Sequence, residues 1–374
     1  MRIVVVNATT DLYGANRILS LALRAFPKQA KIDLLLPEIK GPLIKHIEDE
    51  NPNVSIIECD SLPIIQRKMF SPVGFIQAVK LLLKFKKFLR SENSKQGIDL
   101  IYINTLSNFL VLPIAHILNI NTIVHVHEIL ESPKFISRVI NKYSLQWSTS
   151  VLAVSNAVKK NLLVSGPAYD NKVEVIHNGI PDLFQPLERK NDTCIITLIA
   201  RIKPEKGIWY FLEAINLLEN QDNIIIRIIG GAAPFGEKYI DKLKEDIAKS
   251  KVKIEFIDFT PNVSRYLNET DILVVPSIMK DPFPTTVLEG MSCGKLVIAT
   301  NTGGAVEAII DGETGYLIPK DEPQIFSTLL DKLIIDSELR DKLGINARQR
   351  YLNNFSINSY VDNLQVYISN RLSL

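Results

Sequence analysis

Short, β-branched runs alternate with stretches of helical length along almost the whole chain, and this rhythm limits the fold more than any other feature. A strand, a helix and a second strand running the same way make one βαβ unit, so repeated alternation builds a parallel sheet covered by helices. The first half predicts strands over Ile3–Asn7, Ile32–Leu36, Val54–Glu58, Leu100–Asn104, Thr122–His127, Val151–Ser155 and Val173–His177. A second series runs over Cys194–Ala200, Ile224–Gly230, Ile254–Asp258, Ile272–Pro276, Leu296–Thr300 and Tyr316–Ile318. Several are apolar without interruption, as strands covered on both faces are. Between the series, the polar, Pro-containing stretch 181–192 breaks the rhythm and reads as a linker. The expected fold class is α/β, with two Rossmann-like doubly wound domains facing a central cleft. Ligands of such sheets bind beyond the carboxyl ends of the strands, so that cleft is the expected active site.

Other classes fall away on simple grounds. A chain of 374 residues is long enough for two or three domains. Its net charge of +2 gives no global reason to expect a nucleic-acid partner. The charge is uneven, however. Residues 1–180 carry 21 Lys and Arg against 14 Asp and Glu, and the remainder 22 against 27, so the two halves are expected to face different partners. Cys59, Cys194 and Cys293 are too scattered for a disulfide framework or a metal finger, which points to a reducing cytoplasm. The first apolar run soon meets Asp11 and Arg17 and reads as a strand rather than a signal peptide. The longest apolar stretch, Phe109 to Ile120, contains Pro113, His116 and Asn119 and falls short of the ~20 residues of a membrane span.

The usual nucleotide motifs are missing. The turn after the first strand carries only Gly14, there is no Gly-Lys-Ser/Thr phosphate loop, and neither Asp-x-Asp nor Gly-x-Ser-x-Gly occurs. Other phosphate signals remain. Arg201 and Lys206 follow directly on a buried strand, where two cations and helix N–H groups can hold a diphosphate without a metal. From spacing alone, a solvated basic loop is the favoured reading of them. Gly230-Gly231 allows a close backbone approach to a ligand, or simply a tight turn. The segment from Ile272 to Gly315 says most. A strand ends at Pro276-Ser277, then Asp281-Pro282-Phe283-Pro284-Thr285-Thr286-Val287-Leu288-Glu289 leads into a helix predicted to start near Pro284–Thr286. Its first-turn N–H groups suit an anion, and Glu289, one turn inside, suits ribose hydroxyls. His125-x-His127-Glu128 puts two histidines on one strand face, but no third ligand is evident and no metal is expected.

In order and spacing these segments resemble a GT-B glycosyltransferase of the large retaining family 4, over nearly the whole chain. The resemblance takes in Tyr13-Gly14-Ala15-Asn16, His127-Glu128, Val154-Ser155-Asn156, His177-Asn178-Gly179-Ile180 and Arg201 with Lys206-Gly207. It continues through Asp281 and Glu289, Gly303-Gly304 with Glu307, and Asp311-Gly312 with Thr314-Gly315. It implies an acceptor-binding domain over 1–180, a nucleotide-sugar-binding domain over 193–355, and a C-terminal helix, 356–374, crossing back to the first domain. It further implies that Arg201 and Lys206 neutralise the donor diphosphate, that Glu289 holds the ribose, and that Asp281 and His127 lie by the sugar. Gly14 and Asn16 in the first loop, with Gly230, Phe283, Pro284, Thr285, Thr286 and Val287, complete the expected donor site; no cofactor is expected. Asp281 is one methylene shorter than the family's usual Glu, and Pro284 stands where Gly is common and removes one N–H. Both departures bear on which sugar is taken. UDP is the first expectation for the donor nucleotide and GDP the next. A nucleotide-sugar 2-epimerase and a silent nucleotide-sugar-binding module are the competing readings.

A basic stretch, Lys80 to Arg90, completes the reading. At about 100° per residue, Leu81, Leu82, Phe85, Phe88 and Leu89 share one arc and Lys80, Lys84, Lys86, Lys87 and Arg90 the other, with Leu83 the exception. The arc either packs on the first sheet or lies on anionic lipid. With a glycan or lipid-linked acceptor, a cytoplasmic protein peripheral to the membrane is expected.

Overall fold

The computed structural model describes residues 1–12, 14–66, 69, 71–186, 193–232 and 236–372. All thirteen predicted strands form. The first seven are β1 (Arg2–Val6), β2 (Lys31–Leu36), β3 (Val54–Glu58), β4 (Leu100–Ile103), β5 (Thr122–Val126), β6 (Ser150–Ala153) and β7 (Val173–Val175). The other six are β8 (Cys194–Ile199), β9 (Ile224–Ile229), β10 (Ile254–Ile257), β11 (Ile272–Val275), β12 (Leu296–Thr300) and β13 (Tyr316–Ile318). Where predicted and observed ends differ, they do so by a residue or two. β5, for instance, stops before His127 because the His127 N–H turns to the Glu128 carboxylate at 3.0 Å instead of the next strand.

The strands form two parallel sheets, in the orders β3-β2-β1-β4-β5-β6-β7 and β10-β9-β8-β11-β12-β13. Every position of β1, β5 and β12 is buried, the expected consequence of helices on both faces. Strand order reverses between β1 and β4 in one sheet and between β8 and β11 in the other, so each has its own switch-point crevice at the carboxyl ends of those strands.

The chain divides into two compact units, Met1–Asn178 with Tyr360–Leu374, and Gly179–Ser359. Of the stretch read as a linker, residues 182–185 are held by the second unit: Arg348 pairs with Asp182 at 2.9 Å, and Asn268 bonds both Gln185 N–H and the Leu183 carbonyl at 2.8 Å. The rest, 187–192, lies outside the described residues. The last helix, Ile357–Leu372, ends within the first unit, where Tyr367 shares a hydrogen bond with Ser150 and Arg371 reaches Glu174 at 3.3 Å.

The basic stretch lies in the helix Pro72–Lys95, which Ser71 caps by accepting from Gly74 N–H at 3.1 Å. Phe85 and Leu89 are buried, and Leu81, Leu82 and Phe88 partly so; the predicted apolar arc therefore packs inward. Lys80, Lys84, Lys87 and Arg90 are exposed and Lys86 is half-buried. Among the described residues no helix is long and apolar enough to cross a membrane.

Candidate active site

In the second unit three loops converge at the carboxyl edge of the sheet. The loop after β8 carries exposed Arg201 and then the short 3₁₀ turn Pro204–Lys206. Gly207 ends that turn with φ +73°, and a Cβ there would sit 1.7 Å from the Pro276 carbonyl oxygen. Only glycine lets this backbone lie against the end of β11. The contact is reinforced by Ile278 N–H donating to the Glu205 carbonyl at 3.1 Å. So joined, the two loops bring Lys206 Nζ to 2.7 Å from Asp281 Oδ2. The loop after β12 fixes Asp281 from its other side. Gly304 N–H donates to the Asp281 carbonyl at 2.8 Å, and Gly303, at φ +62°, approaches so closely that a Cβ would lie 2.2 Å from that oxygen.

Asp281 leads into the helix Thr285–Ser292, with Pro284 at the N-cap position. Thr285 and Thr286 are partly exposed in its first turn, the positive end of the helix dipole. Val287 and Phe283, two of the expected donor residues, hold this helix in place. Val287 is buried and spends its N–H on the Pro284 carbonyl at 3.2 Å; Phe283 is buried with its ring 5.7 Å from that of Phe355. Both anchor the helix, so any contact they make with a ligand runs through the backbone. Glu289 stands partly buried in the second turn. Gly230 also has a structural reason: a Cβ on it would meet the Ala200 carbonyl at 1.8 Å, so its close approach is to the loop after β8.

In the first unit the loop after β1 is held by amides. Asn16 is buried; its side chain donates to Thr9 Oγ1 at 3.0 Å and to the Asp11 carbonyl at 2.8 Å, and accepts from Asn7 at 3.0 Å. Asn104, just after β4, donates to Asn7 Oδ1 at 2.9 Å and extends the chain across the switch point. The Asn16 amide therefore shapes the loop rather than presenting itself on the rim. Gly14 begins the helix Gly14–Leu23, exposed and with open space where a Cβ would point; Tyr13 lies outside the described residues.

His127 stands just past β5. Its ring centroid lies 4.0 Å from that of His125, whose Nδ1 shares a 2.6 Å hydrogen bond with the Tyr102 hydroxyl. Burial disfavours the imidazolium and pushes the His127 pKa down to about 3, so the ring is neutral at physiological pH. Its Nε2 finds no hydrogen-bond partner among the described residues. No group of three His, Cys, Asp or Glu placed to hold a metal ion occurs among those residues.

Glu128 is the residue whose part the sequence concealed. Its carboxylate accepts from His127 N–H at 3.0 Å and Leu106 N–H at 3.2 Å, tying the end of β5 to the turn after β4. Burial raises its pKa to about 7, against the pull of those two donors. The sign follows by linkage. An unfolded carboxyl ionises near 4.5 and the folded one near 7, so between them only the unfolded state has lost its proton, and stability falls as pH rises. His127 acts oppositely, losing stability as pH falls below 6.5 toward about 3. The difference between Glu128→Gln and the parent protein isolates the first effect. From about pH 5 to about pH 8 the variant should gain up to about 3 kcal/mol on the parent in urea unfolding. A difference that does not change with pH would overturn this reading of Glu128.

Comparison with known proteins adds to this geometry. A family profile described as Glycosyl transferases group 1 matches residues 180–350, and one described as Glycosyltransferase Family 4 matches residues 14–182. The capsular polysaccharide biosynthesis glycosyltransferase CapM of Staphylococcus aureus is 27% identical over 237 residues, 59% of this chain; the chain spans 62% of CapM's length. The UDP-Gal:alpha-D-GlcNAc-diphosphoundecaprenol alpha-1,3-galactosyltransferase of Escherichia coli is 22% identical over 95% of this chain and 93% of its own. Among solved structures, Anabaena Alr3699/HepE in complex with UDP superposes with a TM-score of 0.81 at 21% identity, covering 100% of both chains. Two profiles that together span residues 14–350, on two doubly wound sheets, place this chain in the GT-B fold glycosyltransferases of group 1.

Proposed function

We propose that the chain moves a sugar, with retention of anomeric configuration, from a nucleoside-diphosphate-sugar to a glycan or lipid-linked acceptor in cell-surface polysaccharide or glycolipid synthesis. UDP is the favoured nucleotide and GDP the next. The observation that carries this reading is the Lys206–Asp281 pair, whose lysine lies on the loop that also carries Arg201, at the switch point of the second sheet. It offers cations to a departing diphosphate and a carboxylate to the positive charge that grows on the sugar ring. Charges held in place before the reaction need no reorganisation when that charge develops. The names of the relatives agree: the E. coli enzyme's names a UDP-sugar and a diphosphoundecaprenol acceptor, and HepE was solved with UDP-glucose.

No carboxylate of the site is placed as a covalent nucleophile by its sequence position, and we favour attack from the face the diphosphate leaves, a phosphate oxygen taking the acceptor proton. A neutral His127 with its pKa near 3 is a poor general base at pH 7. Its role in this reading is to orient the sugar. The first unit binds the acceptor, at the cytoplasmic face of a membrane, and the transfer needs no metal.

Thermal melting with UDP, GDP, dTDP and ADP tests the donor. A nucleotide at about 100 times its Kd stabilises the folded state by about 2.7 kcal/mol, a shift of several degrees. One uridine or guanosine diphosphate should stand out, and the matching sugar nucleotide should be turned over with EDTA present to an α-linked product from an α-linked donor. A melting point indifferent to all four nucleotides, or an inverted product, would contradict the proposal.

A further inference from the structure

The helix Pro72–Lys95 has a second, outward face. Its inner face, centred on Phe85 and Leu89, packs on the first sheet, with Phe88, Leu89 and Glu92 lining a small cavity of about 230 Å³ beside Val4, Asp33 and Leu35. On a helical projection Ile76 and Leu83 stand about 180° and 160° away from Phe85. Val73, Phe75, Ile76, Val79 and Leu83 are all exposed, at 67%, 64%, 57%, 39% and 62%. Single exposed apolar side chains need no explanation, but five within three turns of one helix do.

Charge says what covers them. Lys80, Lys84, Lys87 and Arg90 are exposed on the same helix, and residues 72–91 contain five Lys and Arg and no Asp or Glu. A second copy meeting this face would bring like charges together. An anionic surface with an apolar interior meets both demands, because lysine stems can lie along apolar side chains while their ammonium groups reach outward.

We infer that Val73, Phe75, Ile76, Val79 and Leu83 insert into an anionic lipid bilayer while Lys80, Lys84, Lys87 and Arg90 contact its headgroups. The surface deepens the proposed function by placing the first unit where a lipid-linked acceptor would lie. The docking itself does not depend on the reaction.

Sedimentation with vesicles tests it. The protein should pellet with phosphatidylcholine vesicles containing about 30% phosphatidylglycerol at low salt, and bind pure phosphatidylcholine at least about tenfold more weakly. Ile76→Gln with Leu83→Gln should lower binding to the anionic vesicles at least about tenfold, because the apolar insertion is lost. Lys80→Gln with Lys84→Gln and Lys87→Gln should lower it and remove most of its salt dependence. These side chains face outward, so melting temperature and nucleotide-induced melting shifts should stay as in the parent, while Ile335→Gln, exposed on the second unit, should leave vesicle binding unchanged. No pelleting at low salt, equal binding to neutral vesicles, or full binding by the Ile76/Leu83 variant would each overturn the inference. So would loss of a dimer, rather than of lipid binding, in that variant. Vesicle binding without sugar transfer would sink the proposed reaction and leave the docking standing; transfer to a soluble acceptor without vesicle binding would do the reverse.

Discussion

Arg201→Ala and Lys206→Ala should each lower the transfer rate at least about a hundredfold while the protein stays folded. A preorganised cation facing charge that develops in the transition state typically contributes about 3 kcal/mol, and a hundredfold corresponds to about 2.7 kcal/mol. Folding should hardly notice. Arg201 is exposed, and the half-exposed Lys206–Asp281 pair is of the kind that contributes about 1 kcal/mol or less to stability. The turn itself is fixed by Gly207 against Pro276 and by the Ile278–Glu205 backbone bond, neither of which involves the substituted side chains. Turnover and melting temperature measured on the same preparations separate the two quantities. A folded double variant with near-normal turnover would remove the diphosphate clamp from the mechanism.

The Lys206–Asp281 contact is only half legible in the sequence. Arg201 and Lys206 announce themselves because they follow a largely apolar strand, and strands such as β1, β5 and β12 are legible because buried parallel strands are apolar along most of their length. What periodicity cannot show is which loops meet. Lys206 and Asp281 are 75 residues apart, and their contact exists because β8 and β11 are neighbours at a switch point and a glycine lets their loops touch. The Glu128 clamp was hidden for the same reason, its second donor lying 22 residues upstream on the turn after β4.

Some of the expected donor residues also carry local structure. Phe283 and Val287 sit in the right segment, yet Val287, Leu288 and Met291 follow the one-and-four spacing of a buried helix face, a signal that was available. The buried Asn16 amide, in the first turn of the helix Gly14–Leu23, finds partners in Asn7 and Thr9 ahead of it. Of the outward ridge of the helix Pro72–Lys95, the stretch from Lys80 onward contains only Leu83. Ser71-Pro72, a common helix start, would have brought the preceding two turns into view.

Asp281→Asn should move two measurements in opposite directions. Asp281 Oδ2 holds Lys206 Nζ at 2.7 Å, so an incoming diphosphate must compete with the carboxylate for that ammonium group. An amide lacks the charge, and nucleoside diphosphate should then bind equally well or up to about fivefold more tightly, the scale of a partly exposed ion pair. Transfer should nevertheless fall about a hundredfold, because the negative charge beside the forming oxocarbenium-like sugar is gone. The backbone that positions residue 281 is held by Gly304 N–H and by the close approach of Gly303, both independent of the side chain, so the variant should fold. Asp281→Glu, which restores the length usual in the family, should keep the charge and retain most of the rate. Calorimetric binding of the diphosphate alongside steady-state turnover decides the matter. If Asp281→Asn weakened nucleotide binding and turnover in parallel, the carboxylate would be a support for Lys206, and the sugar-facing role would have to pass to another group.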